Sequence, residues 1–339
     1  MILNKDINLR FQVFIPTFSG KGGYHTEAPN CEAIDLSKII DYSKKAEKLG
    51  YDAVYVCDHL MYGKDDAVLD PWITLSAIAS ATSKIKIGLW VTNHSIRHPA
   101  VTAKLTSTLD VYSAGRLILG YGAGWYKREF ESLGFRFKPL EERISDMMEG
   151  IEIIKKLWTE DVVNYDGKFY KIKNARCNPK PIQKPHPPIM IGTKSNFGLR
   201  VVAKHADIWD FAGLIEPDYL NDRLMVLKNF CEEVSRNIEN ILINLSIHSL
   251  VRKSESEIRK FLDSINHNTI WQITSKIPPY VDAENVEKTM VGTPSELTKR
   301  IEKCRALGFS SFNLIFIDYP LEESLELFSY EVMPKFKKD

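Results

Sequence analysis

The stretch from Lys84 to Tyr126, KIKIGLWVTNHSIRHPAVTAKLTSTLDVYSAGRLILGYGAGWY, constrains the fold of this chain more than any other. Ile85, Ile87, Leu89 and Val91 alternate with other residues at the strand period of two. His98-Pro99 ends that extended run, because the residue before a proline is pushed out of the α region. Val101, Leu105, Thr108 and Tyr112 then fall on one face of a helix, about sixteen residues long by its periodicity. Ala114-Gly115 stops the helix, and Leu117 to Leu119 reads as a short buried strand. Gly120-Tyr121-Gly122-Ala123-Gly124-Trp125 follows directly, and glycines at alternate positions after a strand let a ligand approach the backbone closely. The stretch is therefore a complete βαβ unit.

The rest of the chain repeats the alternation. Strands are predicted at 11–16, 53–57, 85–91, 117–119, 189–191, 207–211, 241–251 and 312–317, with helical periodicity between most of them. Eight strands alternating with helices predict an α/β fold, a parallel (β/α)8 TIM barrel forming a single domain over 1–339. A minimal barrel needs roughly 250 residues, so the surplus belongs to insertions. One is a hairpin near 162–172, signalled by Asp166-Gly167 between two β-prone runs. The other is the irregular segment 252–292, where Ser254 to Leu262 has helical character and Ile277-Pro278-Pro279 breaks the chain. Thr293-Pro294-Ser295-Glu296 is a capping box that opens a helix closed by Gly308. An open doubly wound sheet is the competing architecture, but its first βα turn would carry GxGxxG, which is missing here.

Composition narrows the partners. A net charge of +1 with 26% charged residues gives no basic footprint for nucleic acid and none for an acidic membrane surface. No apolar run is long enough to span a bilayer. The five cysteines are widely spaced and form no CxxC, so a reduced, cytoplasmic protein is expected rather than a disulfide framework or zinc ribbon.

In a parallel barrel the site lies at the C-terminal strand ends. The residues there include Asp58 and His59, Thr92 and Asn93, Gly122 to Trp125, and Gly192 to Ser195. No acid pair suits glycoside hydrolysis, and neither HExxH nor GxSxG occurs. His94 and His98 span a loop ending at Pro99, which argues against a helical metal pair, and no metal is expected. His94, His98 and His248 read as hydrogen-bonding or surface residues, and Arg116 as a structural ion-pair partner. A glycine-rich, aromatic and amide-bearing pocket suits a large planar cofactor. Gly192-Thr193-Lys194-Ser195 combines a helix N-terminus with a lysine, which favours an anion.

The segments VYVCDHL, KIKIGLWVTNHSIRHPAVTAKLTSTLDVYSAGRLILGYGAGWYKREFESLGF, ERISDMMEGIEIIKKLW, NPKPIQKPHPPIMIGTKSNFGLRVVAKHADIWDF and VGTPSELTKRI resemble the luciferase-like monooxygenase superfamily, and most closely its flavin- and deazaflavin-dependent oxidoreductases. The likeness is co-linear over nearly the whole chain, except 252–292. It implies a barrel holding the 8-hydroxy-5-deazaflavin coenzyme F420 or, alternatively, FMN. Asp58-His59 matches the acid–histidine pair after the second strand, with His59 catalytic as proton donor or acceptor and Asp58 at the cofactor. The family's bulge with a non-proline cis peptide maps onto Trp90-Val91, and Thr92 and Asn93 would bond the cofactor's ring edge or ribityl hydroxyls. Gly122 and Gly124 match the loop beside its tail, and Gly192, Thr193, Lys194 and Ser195 match its phosphate turn. One departure stands out. Related sugar-phosphate dehydrogenases place a catalytic glutamate where this chain has Trp125, which becomes a substrate-pocket wall instead, and Glu129 one turn later is not a simple replacement.

The leading expectation is hydride transfer between coenzyme F420 and a small organic substrate. A monooxygenase using reduced FMN and oxygen is the alternative within the class, a catalytically silent flavin-binding barrel the alternative outside it, and a homodimer is left open.

Overall fold

The computed structural model describes residues 8–20, 28–266 and 286–337. Its strands are β1 (Arg10–Phe14), β2 (Ala53–Val56), β3 (Lys86–Leu89), β4 (Thr92–Asn93), β5 (Leu117–Gly122), β6 (Val163–Asp166), β7 (Lys171–Ala175), β8 (Ile189–Gly192), β9 (Ile208–Ala212), β10 (Leu242–Val251), β11 (Met290–Gly292) and β12 (Ser311–Phe316). Eight of them run in the order β1-β2-β3-β5-β8-β9-β10-β12, and β12 returns to β1. Every one of these pairings is parallel. The result is a closed TIM barrel. The strands read as continuous buried runs, as strands covered on both faces should.

Helix boundaries follow local chemistry. Asp35 and Asp70 cap the helices Leu36–Lys48 and Pro71–Ala81 by accepting from the second and third amides beyond them. Thr293 and Glu296 form the expected reciprocal box, and Gly308 closes that helix at φ 113°, a left-handed conformation that glycine adopts without a Cβ clash.

Three readings change. The helix after β4 spans Pro99–Tyr112, but Val101, Thr108 and Tyr112 point to solvent. Its inner face is Thr102, Ala103, Thr106, Ser107 and Asp110, small or polar residues that let the helix Leu140–Thr159 pack closely. Thr106 satisfies its hydroxyl on the Thr102 carbonyl at 2.6 Å, and the Trp158 indole donates to Ala103 O and Thr106 Oγ1, each at 3.2 Å. Buried threonines can thus line a core when the helix backbone takes their protons. Arg116 is buried, and among the described residues it makes no ion pair. Its guanidinium donates to the carbonyls of Ala79, Thr82, Ile85 and Ser113 and to Thr82 Oγ1, tying helix ends at the base of the barrel. The third change is in the insertions. The hairpin forms from β6 and β7 as an antiparallel pair displaced slightly toward the C-terminus. Segment 252–292 contributes a helix, Glu255–Asn266, and strand β11 on the flank of β10, while Ile277-Pro278-Pro279 lies outside the described residues.

Candidate active site

The βαβ unit supplies one wall. Between β3 and β4 the Trp90–Val91 peptide is cis, at the position where the resemblance placed it. Beyond it, Thr92 and Asn93 resume pairing with Tyr121 and Gly122. The glycines of β5 are required by this bulge. A Cβ on Gly122 would lie 2.6 Å from Val91 Cγ2, and one on Gly124, whose φ is +78°, would lie 2.4 Å from Asn93 Oδ1. Close approach is therefore real, with the neighbouring strand as its immediate beneficiary. Beneath the bulge, the Trp90 indole donates to Asp210 Oδ2 at 2.7 Å. Asn244 and Ser246 both donate to Asp210 Oδ1 at 2.6 Å. Burial pushes this carboxyl above the ordinary range despite those three bonds.

The second wall comes from the β2 terminus. Asp58 is buried, accepts from the Asn93 amide at 3.0 Å and pairs with Arg97. Burial raises its carboxyl and the Arg97 guanidinium pulls the other way. Asp58 Oδ1 and the fully buried Thr92 Oγ1 have no hydrogen-bond partner among the described residues. Asn93 spends its side-chain oxygen on the Ser95 amide at 3.2 Å.

His59 is 9% exposed and held on three sides. Its ring stacks on Tyr62 with centroids 4.2 Å apart and planes 8° apart, and meets Trp125 and Tyr126 edge to face. Its Nδ1 faces the Glu129 carboxylate at 3.3–3.4 Å. Glu129 is fully buried and also accepts from the amides of Leu60, at 2.5 Å, and Met61, at 3.1 Å. Burial alone would raise its pKa, but His59 and the two amides more than offset that and hold it below the usual carboxylate range. Trp125 is 55% exposed, its ring 5.8 Å from that of His59.

The third wall follows β8. Ser195 caps the helix Asn196–His205 by accepting from Gly198 N at 3.1 Å, and Thr193 Oγ1 accepts from the Ser195 amide at 3.3 Å. A Cβ on Gly198 would fall 2.0 Å from Thr193 Oγ1, so the turn needs glycine there. Lys194 sets its ammonium over the Phe211 ring, 5.5 Å from the centroid, and burial lowers its pKa against the pull of Glu216. Gly192 sits between Val91 and Asp210, where a Cβ would make ordinary contacts.

A family model for luciferase-like monooxygenases matches residues 9–311. The chain belongs to that family. Among luciferase-like relatives it is similar to F420-dependent glucose-6-phosphate dehydrogenases from two bacteria. That of Microbacterium testaceum StLB037 is 26% identical over 329 residues, covering 91% of this chain and 95% of the relative. That of Amycolatopsis mediterranei U-32 is 33% identical over 189 residues, but the match spans only about half of each, 55% of this chain and 54% of the relative. An FMNH2-dependent dimethylsulfone monooxygenase of Pseudomonas putida is 25% identical over 374 residues, covering 96% and 94%. The structure superposes on the coenzyme F420-dependent tetrahydromethanopterin reductase of Methanopyrus kandleri with a TM-score of 0.78 at 22% identity, covering 97% of this chain and all of the other, which shows the shared fold.

The luciferase-like barrel sets the site residues named from sequence at the C-terminal ends of its strands, Asp58 and His59 after β2, Trp90 to Asn93 at the bulge, Gly122 to Trp125 at the end of β5, and Gly192 to Ser195 after β8. Two unpartnered buried oxygens at the bulge and a helix N-terminus with a lysine are features that a phosphate-bearing flavin or deazaflavin fits. Sequence reasoning missed Arg97, Tyr62 and Asp210, and it named Glu129 only to set it aside as a replacement for the acid at Trp125. The signal for Asp210 was its place in the strand period, which turns it inward between Trp209 and Phe211. The other three histidines named from sequence are held by local contacts or burial. His98 caps the helix Pro99–Tyr112 through Ala100 N at 3.2 Å. His94 is buried between Tyr121 and Asp146, at 2.5 and 3.0 Å. Burial pushes His248 down to about 4.

Proposed function

We propose that this chain is an oxidoreductase, folded as one barrel domain over 1–339, that moves a hydride between coenzyme F420 and a small organic substrate. The observation that carries the reading is His59, wedged between Tyr62, Trp125 and Tyr126 and backed by a buried carboxylate, close to Asp58 Oδ1 and Thr92 Oγ1, which have no partner among the described residues. The bound coenzyme would supply the hydride-exchanging ring. Trp90, Val91, Thr92 and Asn93 would back it, with Asp58 at its edge. Gly122 and Gly124 would border its tail, and Gly192, Thr193, Lys194 and Ser195 would form its phosphate turn, where the N-terminus of the helix Asn196–His205 and one ammonium favour an anion. His59 gives or receives the substrate proton. Trp125 forms an apolar wall where sugar-phosphate dehydrogenases carry an acid, so a phosphorylated sugar is not the expected substrate, although relatives bear that name. The P. putida relative supports the alternative, reduced FMN with oxygen. Assembly as a homodimer, which sedimentation velocity tests, and a cytoplasmic location complete the reading; the five free, buried cysteines accord with a reducing compartment.

The test is anaerobic mixing of the protein with F420 and candidate alcohols or carbonyl compounds, followed by visible absorption. His59→Ala should keep the coenzyme dissociation constant and slow its reduction by a factor on the order of 10². Turnover equal to the parent protein's would remove His59 from the chemistry.

A further inference from the structure

We propose that Glu129 is a positioning residue that locks His59 in its Nδ1-protonated tautomer, leaving Nε2 as the acceptor offered to the substrate. Glu129 is fully buried on the short helix Lys127–Ser132, directly after the β5 loop. Its Oε1 accepts from Leu60 N and Met61 N, the two amides that follow His59 in the chain. Its Oε2 faces His59 Nδ1 at 3.4 Å. An ionised carboxylate has no proton to donate, so the proton in that contact belongs to Nδ1. A neutral imidazole carries one N–H, and with Nδ1 protonated the lone pair lies on Nε2.

The plane of the ring is fixed, and turning the ring over would lose the Nδ1 contact with Glu129. Tyr62 stacks against its face at 4.2 Å, while Trp125 and Tyr126 close on it edge to face. The same carboxylate also meets the positive charge that appears on the ring when Nε2 takes a proton, in a site where burial strengthens such a pairing. A carboxylate thus reaches the site from one helical turn past Trp125 and acts through His59. The role at the substrate rests on the proposed function, whereas the tautomer itself does not.

The test uses the full-length protein without coenzyme, labelled with 15N-histidine and recorded at alkaline pH; His59→Gln identifies its signals. Protonated and bare imidazole nitrogens resonate far apart, so the tautomer is read directly. The parent protein should show Nδ1–H at His59. In Glu129→Gln the two loop amides keep the side-chain oxygen, so the NH2 group faces Nδ1 and donates to it. His59 should therefore switch to the Nε2–H form, with turnover down on the order of 10²-fold and the coenzyme dissociation constant unchanged. An Nε2–H tautomer in the parent, or an unswitched tautomer in a folded Glu129→Gln, overturns the proposal; a carboxylate that merely braces the loop would leave the tautomer where it was. If the variant does not fold, the parent spectrum decides. Failure to bind coenzyme would sink the proposed function and leave the tautomer result standing, so the two claims fail separately.

Discussion

The Trp90–Asp210 contact allows a sharp energetic test of how the bulge is held. Trp90→Phe deletes the indole N–H and leaves Asp210 Oδ2 unpaired in a site that is 1% exposed. A buried acceptor stripped of its donor costs about 1–3 kcal/mol, toward the upper end for a charged group. Asp210→Asn creates the complementary fault. Asn244 and Ser246 hold the side-chain oxygen at the Oδ1 position, so the new NH2 faces the indole N–H, donor against donor. The double variant relieves that conflict. The two single losses should therefore exceed the double loss, with a coupling of about 1–2 kcal/mol in a double-mutant cycle. Urea unfolding of the four proteins measures it. Losses that add to within about 0.5 kcal/mol would show that the bond does not hold the bulge. The pH dependence has a defined sign. Burial raises the folded-state pKa of Asp210 above the unfolded value of ~3.9. Its contribution is therefore fully present below that value and is lost as pH rises through the folded pKa. Trp90→Phe removes a bond that lowers the folded pKa, so its penalty should grow from acid to neutral pH.

Other expectations follow from single contacts. Gly122→Ala should cost about 1–3 kcal/mol by overpacking against Val91 Cγ2, and Val91→Ala in the same chain should recover part of it; no recovery in thermal unfolding would mean the clash lies elsewhere. Lys194→Ala should weaken coenzyme binding in an absorption titration while leaving the unfolding midpoint near its parent value, and an unchanged dissociation constant would count against the phosphate turn. Asp146 is held below the carboxylate range because, against burial, His94 and Lys138 bond it. That stability is present above the unfolded pKa and lost as pH falls through the folded one, so Lys138→Ala should move acid unfolding to higher pH.

The barrel was legible because the strands are apolar runs broken by glycine, proline or an acid, and helices such as Leu36–Lys48, Pro71–Ala81 and Pro294–Leu307 carry their own caps. The helix Pro99–Tyr112 shows where pattern fails. Val101 and Tyr112 face water while Thr102 and Thr106 face the core beside Ala103 and Leu109, since close helix packing rewards small size over low polarity and the backbone takes the Thr106 hydroxyl. Strand β11 is three residues long, too short to carry a period. In the site, His59 and Lys194 could be found because strand ends and helix starts have local signatures. Glu129 could not. Its partner lies 70 positions away, and only the return of the Lys127–Ser132 helix across the β2 loop brings the two together. The sequence places Glu129 one turn past Trp125 and gives it no role, because nothing local to that helix shows that its carboxylate faces His59.

The central claim is that this luciferase-like barrel works with a deazaflavin, and a paired absorption titration of the full-length protein with F420 and with FMN tests it most directly. The account predicts saturable binding of F420 that Lys194→Ala weakens and His59→Ala does not. Selective binding of FMN would transfer the chemistry to the monooxygenase reading, and saturable binding of neither would contradict the account.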